Sequence, residues 1–243
     1  MVDLEKKAPP QLVSLAKTAK VVLEKRKLDA HVAAVGLCLD ISASMKPLFD
    51  GGVVQGIVEK VLALGLNFDD NGAIDLFTFG LEAHDLGELT ADKFQGAAEQ
   101  IARRTPLEDG TKYGPAIRAV MAHYQMKPAG MLSGLFGGNK VEPRKHPVYM
   151  LFVTDGECSD QSEARKAIVD ASRHALFFQF VGIGDGPFKL LKELDTMEGR
   201  FIDNANFFWA KDPAAMQDTQ LFERMTAEYP SWIKLAKSKN LIR

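Results

Sequence analysis

Three short segments of this 243-residue chain carry side chains whose oxygen atoms could bind one metal ion. The candidates are two carboxylates and three hydroxyl groups, namely Asp40, Ser42, Ser44, Thr111 and Asp155. These groups are hard ligands, which suit Mg²⁺, Mn²⁺ or Ca²⁺ better than Zn²⁺. Alternation along the first segment lets Asp40, Ser42 and Ser44 face one centre while the residues between them point away. The spacing therefore indicates a divalent-cation site built from three loops.

Both carboxylates follow short apolar runs with the length and composition of buried strands. Residues 31–39 (HVAAVGLCL) precede Asp40, and residues 147–154 (PVYMLFVT) precede Asp155. Similar runs alternate with helical patterns along the chain, which is typical of a parallel sheet covered on both faces. Ligands of such sheets bind at the carboxyl ends of strands, where the strand order reverses. We therefore expect the donor segments to meet there.

The predicted fold is α/β: a three-layer α/β/α, doubly wound, mostly parallel sheet with helical extensions at both ends. A short strand over 84–89 follows the preceding strand after a brief link, so we expect it to run antiparallel at one edge. The other strands are predicted over 31–39, 73–79, 147–154, 175–182 and 199–203. Helices are predicted over 11–27, 53–66, 91–103, 114–124, 159–172 and 188–196, with two more after residue 213, broken near Pro230.

This pattern divides the chain into three parts. Residues 1–30 form an N-terminal helical extension, residues 31–212 form the α/β domain, and residues 213–243 form C-terminal helices packed on the same domain. Residues 127–146 contain four glycines and two prolines, which predicts a long loop inside the domain. Because the preceding helix returns the chain to the amino edge of the sheet, we expect this loop opposite the metal site.

Composition excludes several functional classes. Lys and Arg number 30 against 32 Asp and Glu, so the chain lacks the basic excess typical of proteins that bind nucleic acid or anionic membranes. No apolar run approaches the roughly 20 residues that span a bilayer, and the first residues do not form a signal peptide. We therefore expect a cytoplasmic protein. Cys38 and Cys158 form no CxxC pair, which argues against a thiolate zinc site or a disulfide framework.

The motifs, in their order, resemble the metal-ion-dependent adhesion site (MIDAS) of von Willebrand factor A (vWA) domains. The shared features are DxSxS after the first buried strand, a threonine after a glycine-rich turn, and TDG after the fourth strand. Over roughly residues 12–236 the chain also resembles bacterial TerF-like vWA proteins of tellurium-resistance and stress operons. The segments that carry this likeness are LDISASM (39–45), GGVVQ (51–55), FVTDGE (152–157), FQFVGIG (178–184) and DNANFF (203–208). One departure is Ala43, where many vWA domains have glycine; alanine fits if its φ is negative.

The resemblance implies a role for each candidate ligand. Ser42, Ser44 and Thr111 would bind the metal through their hydroxyl groups, and Asp40 and Asp155 would act directly or through water. An octahedral ion then lacks one ligand, which a carboxylate of another protein would supply. The resemblance thus implies a protein-binding module and not an enzyme. Its setting would be a bacterial tellurite-resistance or stress-response system, with an operon-mate stress protein as partner.

Plainer interpretations stay open. Asp40 and Ser42 could cap a following helix, as could Asp155, because these residue types satisfy the free N–H groups of a first turn. Glu157 and Asp160 are interpreted as favourable charges at the start of the helix that follows them. On this interpretation the protein is an α/β scaffold that binds no metal.

A nucleotide-binding enzyme is a further alternative. Gly182, Gly184 and Gly186 lie between a predicted strand and a predicted helix, as in a dinucleotide-binding loop. However, Pro187 stands where the third glycine of that motif belongs. An aspartyl phosphotransferase is disfavoured as well, since it would need an acidic proton donor at the position of Ser42.

Overall fold

The computed structural model describes residues 9–68, 72–127 and 142–243. Within these residues the strands form one sheet: β1 (Ala34–Asp40), β2 (Ala73–Phe79), β3 (Ala83–Thr90), β4 (Val148–Thr154), β5 (Leu176–Ile183) and β6 (Ala205–Ala210). They lie in the order β3-β2-β1-β4-β5-β6, and all pairs are parallel except β2 with β3. The predicted α/β fold with one antiparallel edge strand is confirmed.

Helices cover both faces of the sheet. They are α1 (Pro10–Lys25), α2 (Lys46–Asp50), α3 (Val53–Phe68), α4 (Ala97–Arg104), α5 (Tyr113–His123), α6 (Gln161–Ala171), α7 (Lys189–Thr196), α8 (Asp218–Met225) and α9 (Tyr229–Ser238). The first apolar cluster joins α1, α3, α4, α8 and α9 to one face, and the second joins α5, α6 and α7 to the other. Successive residues of a strand belong alternately to the two clusters: Leu37 and Leu39 belong to the first, and Cys38 belongs to the second.

The strand order reverses between β1 and β4. Strand β1 pairs in parallel with β2 on one side and with β4 on the other, where Leu39 lies opposite Val153. The next residues, Asp40 and Thr154, therefore end their strands side by side at the carboxyl edge. This edge is where an open α/β sheet binds its ligands.

Two predicted elements are wrong in position. The last strand is Ala205–Ala210, whereas residues 199–203 are bends and irregular backbone, with Gly199 at φ +85°. The aromatic run from Phe207 to Trp209 suits a strand better than the glycine-led segment does. Helix α4 begins at Ala97 and not near residue 91, because the turns before it end in Gly96 at φ +68°.

The terminal helices pack on the sheet. The ring of Tyr229 in α9 lies edge-on to that of Tyr149 in β4 at a centroid distance of 5.0 Å, and the hydroxyl group of Tyr149 donates to the carbonyl of Met225 in α8 at 2.6 Å. The long loop predicted over 127–146 lies mostly outside the described residues, since 128–141 are not among them. None of the described helices is both long and apolar enough to cross a bilayer.

Candidate metal centre

Asp40 forms the floor of the site. Its side chain has no exposed surface, and its carboxylate accepts hydrogen bonds from the Ser42 N–H at 2.6 Å and from the Thr154 hydroxyl group at 2.5 Å. Beneath them, the buried hydroxyl group of Tyr113 donates to the Gly156 carbonyl at 2.6 Å and lies 3.3 Å from Thr154 Oγ1. Hydrogen bonds to the Asp40 carboxylate thus join the ends of β1 and β4.

Both carboxylates of the site are destabilised as anions. Burial raises the pKa of Asp40 to about 6, while hydrogen bonds from Thr154 and Ser42 oppose this rise and the charge of Asp155 adds to it. Burial also raises the pKa of Asp155, against the hydrogen bond from Ser44. A bound cation would remove this penalty, because a nearby positive charge favours the ionised form. The electrostatics of the pair therefore fit a cation site.

Three oxygen atoms continue from this floor towards solvent. Ser44 Oγ donates to Asp155 Oδ1 at 2.9 Å, and Ser42 Oγ lies 3.1 Å from Ser44 Oγ. Neighbouring ligands around an octahedral Mg²⁺, with bonds of about 2.0–2.1 Å, are about 2.9 Å apart. Ser42 is buried whereas Ser44, in the middle of the row, is exposed, so the row is open to solvent at Ser44. The donor set and its spacing fit a hard divalent cation.

Thr111 reaches the same edge through its backbone. Its carbonyl accepts hydrogen bonds from the Ser159 N–H at 3.0 Å and the Ser159 hydroxyl group at 3.2 Å, and the neighbouring Lys112 N–H donates to the Gly80 carbonyl at 2.8 Å. Among the hydrogen bonds of the described residues, none joins the Thr111 hydroxyl group to the serine row. The structure thus brings Asp40, the two serines and Asp155 into contact, whereas the described hydrogen bonds of Thr111 are with Ser159.

The loop geometry explains why alanine is accepted after Ser42. Ala43 begins a 3₁₀ turn (Ala43–Met45) and has a negative φ, so it needs no glycine. Ile41 is fully buried, as the alternation along this segment predicts. The described contacts of Asp40 and Asp155 are with the groups named above and not with the first turn of α3 or α6. Helix capping therefore does not account for these two carboxylates.

The carboxylates of Glu157 and Asp160 do cap helices, but not the helix that follows them. The Asp160 carboxylate accepts from the N–H groups of Tyr113 at 2.9 Å and Gly114 at 2.8 Å, at the start of α5. Glu157 accepts from the N–H groups of Lys189 and Leu190, at the start of α7. Asp160 does lie at the N-cap of α6, as expected, although its carboxylate forms no hydrogen bond there. Glu157 acts at α7 instead, because tertiary packing brings that helix end closer.

Two of the three glycines at the end of β5 and in the loop after it are in close contact with other parts of the protein. A Cβ atom at Gly182 would lie 2.8 Å from the ring of Phe188, and one at Gly186 would lie 2.5 Å from the Asp155 carbonyl oxygen. The N–H groups of α7 that would face a phosphate are already bonded to Glu157. Gly182 and Gly186 therefore allow close packing against Phe188 and the Asp155 backbone, and Glu157 occupies the helix start where a nucleotide phosphate would bind.

Two residues that support the site are not predicted from the sequence. Thr154 donates to Asp40, and Glu108 pairs its backbone with both sides of Ser42. Thr154 was recognisable as the end of a strand, but its partner depends on the pairing of β1 with β4. Across the described part of the chain, no group of three or more His, Cys, Asp or Glu residues is arranged to hold a metal. The candidate site depends instead on two carboxylates supplemented by hydroxyl groups.

The chain is similar to known proteins over most of its length. A family model, vWA-TerF-like, described as the vWA found in the TerF C terminus, matches residues 32–242. The "Uncharacterized protein YcbR" of Bacillus subtilis (strain 168) is 36% identical over 234 residues, which cover 93% of this chain and 88% of that protein. Copine-E of Dictyostelium discoideum is 30% identical over 167 residues, covering 63% of this chain and 27% of that protein.

Solved structures show the same fold at low sequence identity. The crystal structure of the TFIIH p34 N-terminal domain superposes with a TM-score of 0.52 and 14% identity, covering 82% of this chain and 98% of that one. At this identity the likeness concerns the fold alone.

Proposed function

Since this chain belongs to the vWA-TerF-like family, we propose that it is a protein-binding module whose binding depends on a divalent cation. The cation would be Mg²⁺, or Mn²⁺ or Ca²⁺ in its place. Its ligands would be Asp40, Ser42, Ser44, Thr111 and Asp155, some of them acting through water. The proposal concerns the metal, the partner and the biological setting; the family itself is established by the comparisons.

The spacing of three oxygen atoms carries the proposal. Ser42 Oγ, Ser44 Oγ and Asp155 Oδ1 are separated by 3.1 Å and 2.9 Å, close to the spacing of adjacent ligands around Mg²⁺. These atoms come from two loops that the strand order brings together. Beneath them lies a buried carboxylate, Asp40, whose pKa is raised by burial. A cation at this position would give each of these groups a charged partner.

The same geometry supports a further ligand supplied by a second protein. The proposed ligands leave an octahedral ion one position short, and the exposed Ser44 marks the open side. Hard cations favour anionic oxygen ligands. We therefore propose that an Asp or Glu side chain of another protein completes the coordination.

The surrounding groups favour binding over a chemical reaction. Burial, together with Asp160, raises the pKa of Cys158 to about 12, and burial raises the pKa of Tyr113 well above its ordinary value. Neither group would be a ready nucleophile or base near neutral pH. Asp40 is held by two hydrogen bonds on the floor of the site. We therefore propose that the protein is not an enzyme.

The biological setting follows from the family resemblance alone. We propose that the protein acts in a bacterial tellurite-resistance or stress-response system, in the cytoplasm, with an operon-mate stress protein as partner. Its net charge of -2 gives no support for binding to nucleic acid or to a membrane surface.

Calorimetric titration with Mn²⁺ tests the metal site. We expect one binding site in the wild-type chain, at least tenfold weaker binding for Asp40→Asn, and unchanged binding for Asp29→Asn, which alters an exposed carboxylate on a loop. Pull-down from bacterial extract in Mg²⁺ or EDTA, with Asp40→Asn as control, tests the partner. Equal recovery of the same protein in EDTA would favour the metal-free scaffold.

A further inference from the structure

An exposed leucine lies on a turn that packs against Gly110, the residue before Thr111. Leu81, on the turn between β2 and β3, has 39% of its surface exposed. A Cβ atom at Gly110 would lie only 2.6 Å from Leu81 Cδ2, so the leucine side chain packs on the backbone next to Thr111. Gly110 has φ +152°, which side-chain-bearing residues rarely adopt. The local backbone is thus shaped to seat this leucine at the rim of the site.

Glu108 holds the turn that carries Leu81. One oxygen of its carboxylate accepts hydrogen bonds from the N–H groups of Leu81 and Glu82, and the other lies 3.0 Å from Nε2 of His84. These hydrogen bonds hold the backbone of the turn in place, and the turn presents the exposed side chain of Leu81.

The backbone of Glu108 is also hydrogen-bonded to the loop that carries Ser42. The Glu108 N–H donates to the Ile41 carbonyl at 2.9 Å, and the Ala43 N–H donates to the Glu108 carbonyl at 2.9 Å. These bonds bracket Ser42 on both sides. Glu108 thus connects two features with one residue: its backbone supports a proposed metal ligand, and its side chain sets the position of Leu81.

We propose that Leu81 is a specificity-determining contact for the partner and that Glu108 is the positioning residue that presents it. This inference rests on the proposed function, because the partner is the protein whose carboxylate binds the metal. The segment it fits carries an acidic residue with a bulky apolar residue within a few positions of it. The acid would satisfy the cation, and the apolar side chain would cover Leu81.

The two contacts would reinforce each other. An apolar side chain packed on Leu81 would exclude water from one side of the ion-carboxylate contact, and charge interactions are stronger where water is excluded. The acidic group alone would give a weak and unselective ligand. The leucine would distinguish among the many acidic segments of other proteins.

A phage-displayed library of random 12-residue peptides tests this inference. The full chain is immobilised in Mg²⁺ and bound phage are eluted with EDTA. We expect the eluted pool to be enriched in Asp or Glu next to a bulky apolar residue. On Leu81→Asn the acidic enrichment should persist and the apolar enrichment should disappear. Val21→Asn, which removes an exposed valine from α1, should reproduce the wild-type pool.

Binding of the best wild-type peptide gives the magnitudes. We expect Leu81→Asn to weaken it at least tenfold, or about 1.4 kcal/mol, and Val21→Asn to leave it within twofold. Glu108→Ala should weaken it similarly, and Glu108→Gln should restore it, because the amide oxygen can accept from both N–H groups. Mn²⁺ affinity should stay within threefold for Leu81→Asn, which separates peptide contact from metal binding.

The outcomes distinguish this inference from the proposed function. If no EDTA-elutable peptide is enriched on the wild-type chain, both are wrong. If acidic peptides are enriched but bind wild type and Leu81→Asn equally, only the role of Leu81 fails. If Glu108→Ala abolishes Mn²⁺ binding, or Glu108→Gln does not restore peptide binding, the role of Glu108 in presenting Leu81 fails.

Discussion

The hydroxyl group of Ser44 donates a 2.9 Å hydrogen bond to the carboxylate of Asp155, which lies 111 positions later in the chain. The contact exists because β1 and β4 are adjacent at the centre of the sheet and run in the same direction. Two loops that are distant in sequence therefore share one row of oxygen atoms. The candidate metal centre depends on this junction.

Replacing Ser44 by alanine should weaken metal binding without unfolding the protein. The variant removes the middle oxygen of the row, and the side chain is exposed, so packing changes little. We expect at least a tenfold loss of Mn²⁺ affinity by calorimetry, in the range found when a metal-site support is removed. Ser238→Ala, which removes an exposed hydroxyl group from the end of α9, is the control and should bind normally. Equal affinities for the two variants would place the metal elsewhere.

Asp40→Asn should be at least as stable as the wild type in EDTA at pH 7. The amide oxygen can still accept from the Ser42 N–H, and the amide nitrogen can donate to the Thr154 hydroxyl group. The folded pKa of Asp40 is raised from 3.8 to about 6, so its contribution is favourable below pH 3.8 and is lost as the pH rises through 6. Urea unfolding should show a gain for the variant of up to about 2 kcal/mol at pH 7.

Added Mn²⁺ should favour the wild type over the variant. At 100 times the wild-type Kd it should stabilise the wild type by about 2.7 kcal/mol and Asp40→Asn by no more than about 1.4 kcal/mol, because the variant binds at least tenfold more weakly. A variant that is much less stable than the wild type already in EDTA would show that Asp40 is mainly a structural residue.

His31 should make the protein sensitive to acid. Burial lowers the pKa of His31 from 6.5 to about 4, assisted by the positive charges of Lys237 and His146. A lowered pKa gives stability that is present above pH 6.5 and is lost as the pH falls towards 4, because the unfolded chain takes up the proton first. His31→Gln keeps a partner for the Tyr229 hydroxyl group, which lies 3.0 Å from His31 Nε2.

The measurement is urea unfolding of wild type and His31→Gln at pH 7 and pH 4.5. Between these values the wild type should lose about 1 kcal/mol more than the variant, since solvent screening reduces the full effect. Parallel losses in the two proteins would assign the acid sensitivity to other groups.

Two glycines of the loop after β5 should differ in effect. An alanine Cβ at Gly186 would lie 2.5 Å from the Asp155 carbonyl oxygen, so Gly186→Ala should displace Asp155, weaken Mn²⁺ binding and cost about 1–3 kcal/mol. At Gly184 nothing lies within 4 Å, but φ is +76°, so Gly184→Ala should cost about 1 kcal/mol through backbone strain alone. Its Mn²⁺ affinity should stay within threefold of wild type. The same loss of affinity in both variants would contradict a specific link between Gly186 and Asp155.

The sequence by itself determined the α/β class and the edge at which the site lies. Buried parallel strands are nearly continuous apolar runs, and such runs end at Asp40 and before Asp155. Because each of these signals lies within one short segment, it can be recognised without knowing which segments are neighbours in the fold. The alternation that sends Ile41 into the core while Ser42 and Ser44 face the site is local in the same way.

Tertiary structure alone decided which groups bond to which. The pairing of Thr154 with Asp40 requires β4 to lie beside β1, and the capping of α5 by Asp160 requires α5 and α6 to meet. No sequence motif marks Glu108. Its role comes from the tertiary contacts of its backbone with the Ser42 loop and of its side chain with the turn that carries Leu81. Hydrogen bonds between distant segments depend on strand order and helix packing, which propensity and periodicity do not encode.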